Sequence, residues 1–211
     1  MAILEERLRP AGFHWPEAIG TNVGLKLQEL VEVSEEGFAA LPQSHFHATN
    51  CLRLCRKMWE KGIHPFESSA VMDLGASAGF AVYQVGACPT LTKTRCAERA
   101  WWNTWKGDFL TVDDMIRLQG FSSSTDIDWS AAGLSKSAAG GCLGNAVNGA
   151  MIGQLIPQVL YAANLATEAD LQYLNAREKV RLDSLRLPQE RQTRPPAHHM
   201  YAEVEAALDQ V

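Results

Sequence analysis

Phe109-Leu-Thr-Val-Asp-Asp-Met-Ile-Arg-Leu-Gln-Gly-Phe121 carries its own start and stop signals. Thr111 can cap a helix, and Asp114 stands three residues on, the spacing of a capping box. Leu110 and Met115 occupy the two positions of a hydrophobic staple, and Met115 and Leu118 share a face. Gly120 is placed to end the helix in a left-handed turn. The stretch reads as a short, well-capped helix. Such a helix carries no function by itself, so the segments on either side decide what it belongs to.

The whole chain bounds the answer. Its 211 residues make one medium domain or somewhat more, and an apolar fraction of 46% supports a sizeable core. A net charge of -5 argues against a non-specific polyanion binder while leaving room for a local basic patch. Five cysteines without framework spacing point to reduced thiols in an intracellular compartment. The opening Met1-Ala-Ile-Leu-Glu-Glu-Arg-Leu8 lacks the apolar run of a signal peptide. The longest apolar stretch, 143–165, is interrupted by Asn145, Asn148, Gln154, Pro157 and Gln158, which suits a buried helix and not a membrane span.

Residues 1–66 read as a helical N-terminal segment. Trp15-Pro16-Glu17 places proline at a first helical position, and Leu25, Leu27, Leu30 and Val31 give a partial helical period. Further on, Asn50 is expected to cap a short helix in which Cys51, Leu54, Cys55, Met58 and Trp59 form one apolar stripe. Arg53, Arg56, Lys57 and Lys61 fall on the opposite side, either as a solvated face or along phosphates. His45, His47, Cys51 and Cys55 have the right chemistry for a metal. Structural zinc pairs sit on knuckle turns, however, and here the cysteines fit the core stripe, so no metal is expected.

Residues 67–165 change character. Residues 70–74 read as a strand, 80–85 as a second, and Gly75-Ala-Ser-Ala-Gly79 as a plain loop matching no nucleotide-binding pattern. Residues 89–95 read as extended, rich in hydroxyls and basic at the end. Trp101, Trp102 and Trp105, interleaved with Arg99 and Lys106, suggest a packed corner more than a stacking platform for bases. Residues 122–126 read as a polar loop, and 133–144 as a small, glycine-rich stretch. Asn145 is then expected to open a helix with one row of Val147, Met151, Leu155 and Gln158 or Val159, and a next row of Ile152, Ile156 and Leu160. Gly149 and Gly153 permit close approach, and Pro157 should kink or end the first part. Residues 166–187 read as a second capped helix, starting at Thr167, with Leu171, Leu174, Val180, Leu182 and Leu185 on one face. Residues 188–211 read as a Pro-rich linker containing His198 and His199, followed by a short terminal helix.

Three pieces now stand in a fixed order: Pro89-Thr-Leu-Thr92, then Leu110 to Phe121, then Leu143-Gly-Asn-Ala-Val147 leading into an apolar helix. This order and spacing resemble the C-terminal third of cytosine-5 DNA methyltransferases. That family ends its target-recognition region with a Pro-Thr-Leu-Thr-like element. Its ninth motif follows, Arg-x-Leu-Thr-x-x-Glu-x-x-Arg-Leu-Gln-Gly-Phe-Pro, and then its tenth, Gly-Asn-x-Val and a helix. Asp108, Asp114 and Ser122 stand where the family has Arg, Glu and Pro. Pro42-Gln-Ser-His-Phe-His47 is faintly similar to the eighth motif, with histidines for both of its arginines. The family's Pro-Cys nucleophile loop, its Glu-Asn-Val and its Phe-x-Gly-x-Gly cofactor loop are absent, and Cys88-Pro89 has the reverse order.

The resemblance implies a helix-rich α+β fold. It would be a partial methyltransferase domain of recognition-side strands and C-terminal helices, lacking most of the Rossmann-like cofactor sheet. It implies DNA contacts from Thr90, Thr92, Lys93 and Arg95. It places Gly144, Asn145 and Ala146 at the wall of an S-adenosylmethionine pocket that the missing N-terminal part completes. Thr111, Asp114, Arg117, Gln119 and Gly120 would be structural ties, with no catalytic residue in the chain. The implied partners are DNA and a complementing methyltransferase chain, in the nucleus of a eukaryote or otherwise the cytoplasm, and the apolar helix rows should be partly exposed. The alternatives are a non-catalytic nucleic-acid-binding or interaction module from the same family, its transfer-RNA branch, and an unrelated helical protein.

Overall fold

Ala70-Val-Met-Asp73 is buried along its whole length, and the fold grows around it as strand β1 (Ala70–Asp73). A computed structural model describes residues 41–77, 79–121 and 129–187. The readings at 15–17, 25–31, 122–126 and 188–211 lie outside those residues. Strand β2 (Tyr83–Val85) pairs antiparallel with one edge of β1, Ala70 opposite Val85. Strand β3 (Trp101–Asn103) pairs antiparallel with the other edge, Met72 opposite Trp102. Strand β4 (Asp108–Phe109) closes the order β2-β1-β3-β4, with Trp102 opposite Phe109. The protein is α+β, with helices on both faces of this small antiparallel sheet.

Trp101 and Trp102 lie on a central strand, and Trp105 stands in the hairpin turn that follows it. Successive strand side chains point to opposite faces, so Trp102 joins Met72 in one core while Trp101 joins Val71 in the other. Three residues are too few to show a period, and that hid the strand. Its hairpin closes at Gly107, with φ of 66°, where the Lys106 amide donates to Asn103 Oδ1 at 2.8 Å. The second strand is shorter than 80–85. Phe80 and Val82 are exposed, in a loop that joins the ladder only when the Asp73 amide donates to the Val82 carbonyl at 2.9 Å.

Helix α1 (His45–Trp59) covers one face, with Cys51, Leu54, Cys55 and Met58 fully buried. Asn50 does not cap it. The helix starts five residues earlier, after Ser44, and Asn50 lies inside it, where its Nδ2 donates to the carbonyls of Leu74 and Ala76 at 2.9 Å each. A buried amide that satisfies the backbone leaving β1 is a stronger constraint than a local cap. Cys51 Sγ contacts Met72 Sδ at 3.9 Å, and His47 packs edge-on to Phe109. The composition shift near residue 66 thus falls inside one core.

The other face carries α2 (Lys93–Ala97), α3 (Val112–Leu118) and α4 (Lys136–Asn145). The glycine-rich stretch is largely helical because Ser135 caps it, its hydroxyl accepting from the Ala138 amide. Gly140 and Gly144 let α4 lie directly on the α2 backbone. A Cβ at the first would overlap the Cys96 carbonyl, and one at the second the Thr92 carbonyl. Helices α5 (Gly149–Ala162) and α6 (Glu168–Asp183) form an outlying pair, joined to the body by Ala150, Leu182 and Leu185. Thr167 and Asp170 make the expected capping box, but Val180 is 71% exposed and off the apolar face. Helix α5 continues through Pro157, whose lost bond would have gone to Gly153. No helix among the described residues is long and apolar enough to cross a membrane.

Candidate functional site at the Gln119 junction

The cap of α3 forms as the spacing requires. Asp114 N donates to Thr111 Oγ1 at 3.1 Å, and Thr111 N donates to Asp114 Oδ2 at 2.8 Å. Leu110 and Met115 are both buried in the same cluster. At the other end Gly120 takes φ of 79°; its amide donates to the Arg117 carbonyl at 2.9 Å and the Phe121 amide to that of Ile116 at 3.1 Å. Those two bonds are a Schellman cap, with Phe121 and Ile116 making its apolar contact within one cluster.

Asp114 does more than cap. It is fully buried and also accepts from Lys106 Nζ at 2.7 Å and Arg117 Nη2 at 3.0 Å. Two cations, a hydroxyl and an amide saturate one carboxylate, the condition under which a buried charge is tolerated. Lys106 was not legible as its partner, because the hairpin and not a helical spacing brings the two together.

The carboxyl end of α3 is the meeting point. Gln119 Nε2 donates to the Leu143 carbonyl at 2.8 Å and the Ala146 carbonyl at 3.5 Å. In return the Gly149 amide donates to the Gln119 carbonyl at 2.7 Å, and Asn148 Nδ2 to that of Leu118 at 2.9 Å. Arg181 of α6 donates to the Gly120 carbonyl while paired with Glu178, which raises the guanidinium above its usual pKa. Gly144 rests on Thr92 and Lys93, and Leu91 packs into the same cluster as Leu110 and Leu143. Gln119 thus ties the second sequence piece to the third, and Gly144 on Thr92 with Leu91 beside Leu110 brings the first piece against both.

Asn145 does not open a helix. It is the last residue of α4, and Asn148 caps α5 by accepting from the Met151 amide at 3.0 Å. Both asparagines were available as caps; the upstream Ser135 cap decides between them by extending α4 through 145. The Ala146 amide donates to the Leu143 carbonyl at 3.1 Å, and the first amide of α5 is spent on Gln119. Gly144, Asn145 and Ala146 do not enclose a cofactor among the described residues. Gly144 faces the Thr92 backbone, Ala146 faces Gln119, and only Asn145 is exposed. No step through S-adenosylmethionine can be built from them.

The 89–95 segment is extended only to Thr92 and then turns into α2. Thr90, Thr92 and Lys93 are exposed. Arg95 instead turns inward, its Nε 3.1 Å from Asp73 Oδ2 and its Nη1 3.0 Å from the Gly75 carbonyl, with Glu98 at 3.2 Å. It locks the exit of β1 and is a poor phosphate contact.

Three of the buried thiols are held in the protonated form. Burial pushes the Cys88 thiol far up, reinforced by Cys96, and raises Cys96 to about 11. Cys51, hydrogen-bonded to Cys55 and buried, is raised as well. Cys142 alone of the five is exposed. Beyond the junction, Val147 and, on α5, Met151, Ile156 and Val159 face solvent, at 62%, 39%, 49% and 51% exposure. Compared with protein-family models, curated proteins and solved structures, the chain matches none of them.

Proposed function

We propose that the chain is the C-terminal, recognition-side part of a cytosine-5 DNA methyltransferase and transfers no methyl group by itself. The observation that carries this reading is the convergence on Gln119. The Pro-Thr-Leu-Thr, Leu-Gln-Gly-Phe and Gly-Asn-Ala-Val pieces, spread over residues 89–147 of the chain, share one packed junction. The exposed apolar side chains of Met151, Ile156 and Val159 on α5 support a docking role for that helix, since exposed apolar surface marks interaction sites. The complementing chain would bring the nucleophilic thiolate, the cytosine-binding carboxylate and the S-adenosylmethionine pocket. This chain's share is the recognition loop and the scaffold behind it.

The non-catalytic alternative, a nucleic-acid-binding module of the same lineage, draws support from the buried state of Cys88. Both readings share one test. The purified chain, incubated with labelled S-adenosylmethionine and a cytosine-containing duplex, is expected to transfer no label. Transfer by the chain alone sinks both. Addition of a polypeptide carrying the Pro-Cys and cofactor motifs separates them: restored transfer supports the split enzyme, and continued inactivity supports the module.

A further inference from the structure

Three sulfur atoms meet where α1 packs on β1. Cys51 and Cys55 stand one turn apart on α1, which puts both thiols on one helix face. Met72 enters the same core cluster from β1. All three residues are 0% exposed. Cys51 is the middle member: it hydrogen-bonds with Cys55, and its Sγ lies 3.9 Å from Met72 Sδ. Packing alone asks for apolar volume at these positions and does not ask for sulfur at all three.

The separation suits a metal, and the donors narrow which one. At a metal–thiolate bond of about 2.3 Å, three coplanar sulfurs around one ion stand about 4 Å apart. Among the described residues no three His, Cys, Asp or Glu side chains group so as to hold a metal, so a divalent ion lacks its usual ligands. Structural zinc takes four tetrahedral ligands, and a thioether is not one of its usual donors. Thiols with a thioether are a soft set of the kind that selects Cu(I). Leu54, Phe66 and Leu74, buried in the same cluster, give the sulfurs an apolar shell. His47, one turn before Cys51, packs on Phe109 and stays outside the set.

We infer that Cys51, Cys55 and Met72 form a closed binding site for a soft monovalent cation, Cu(I). On binding, the Cys51 S–H bond breaks and a Cys51 S–Cu bond forms. Lone pairs of the Cys55 and Met72 sulfurs complete a three-coordinate site. The proton leaves to solvent and the copper stays Cu(I), so no oxidant or reductant takes part. One positive charge replaces another, and the core gains no net charge, as apolar surroundings require.

The test uses the full chain carrying Cys142→Ser, which removes the exposed thiol. Cu(I) is supplied without oxygen as its bicinchoninate complex, both to the native protein and during refolding from urea. The chain is expected to hold a single Cu(I) against the chelator, with X-ray absorption showing sulfur neighbours only. Cys51→Ala and Met72→Leu, each added to that chain, are expected to lower the affinity at least ~10-fold, since even outer-shell changes cost that much. Met72→Leu keeps the core volume, which separates loss of a ligand from loss of the fold. Cys88→Ala is expected to bind as before, and Zn(II) more weakly than Cu(I). No copper held by either route overturns the inference. So does affinity that Met72→Leu leaves unchanged, copper lost with Cys88→Ala, or zinc held as tightly as copper.

Discussion

Lys106 Nζ lies 2.7 Å from Asp114 Oδ2, with the two side chains 3% and 0% exposed. This buried pair joins the β3–β4 hairpin to the cap of α3, so the helix start is fixed by the sheet as well as by its own sequence. Asp114→Ala should leave the Lys106 ammonium buried without its carboxylate, at a cost of about 3–5 kcal/mol. Lys106→Met should cost clearly less, because Asp114 keeps its bonds to Thr111 and Arg117. Urea unfolding of both variants decides; equal costs would mean that the pair is not the anchor.

Gly144 and Thr92 make the closest join between two of the signature pieces. Gly144→Ala should be destabilising by about 1–3 kcal/mol, since the added methyl meets backbone that cannot swing aside. Gly79→Ala, where nothing lies within 4 Å, should be neutral or stabilising by up to about 1 kcal/mol. Matching thermal shifts for the two variants would refute the close approach of α4 to α2.

Native protein should show one thiol reactive toward a disulfide reagent, Cys142, and five after denaturation. Fast modification of Cys88 would contradict its burial.

Alkaline stability follows from Cys96. Burial is the main cause of its raised pKa, so the folded state holds the proton more tightly than the unfolded chain does. Its contribution is present in full below about pH 9, the ordinary thiol value, and is lost as pH rises toward about 11. Denaturation midpoints measured across that window should fall, and Cys96→Ala should lessen the fall. A flat profile would mean that the thiol is open to water.

What the residues disclosed and what they hid follow one division. Thr111, Asp114 and Gly120 act within a few residues of themselves, and their roles could be read from spacing alone. Asn50, Lys106 and Arg181 act on Leu74, Asp114 and Gly120, at separations only the fold creates, and no local pattern marks them. The error at Asn145 arose because two asparagines offered the same cap, and the choice lay ten residues upstream at Ser135. β3 was hidden by brevity. Of the expected DNA contacts, Arg95 looked available because Asp73, its partner, is 22 residues away.

The central claim is that a recognition-side body, built around Gln119, binds duplex DNA without the means to modify it. The most direct measurement is the affinity of the intact chain for a short cytosine-containing duplex as a function of salt. The account predicts binding at low salt that weakens linearly in log–log form, with a slope of about 0.9 per phosphate contact. A chain that leaves the duplex unbound at low salt, while folded by circular dichroism, would contradict it.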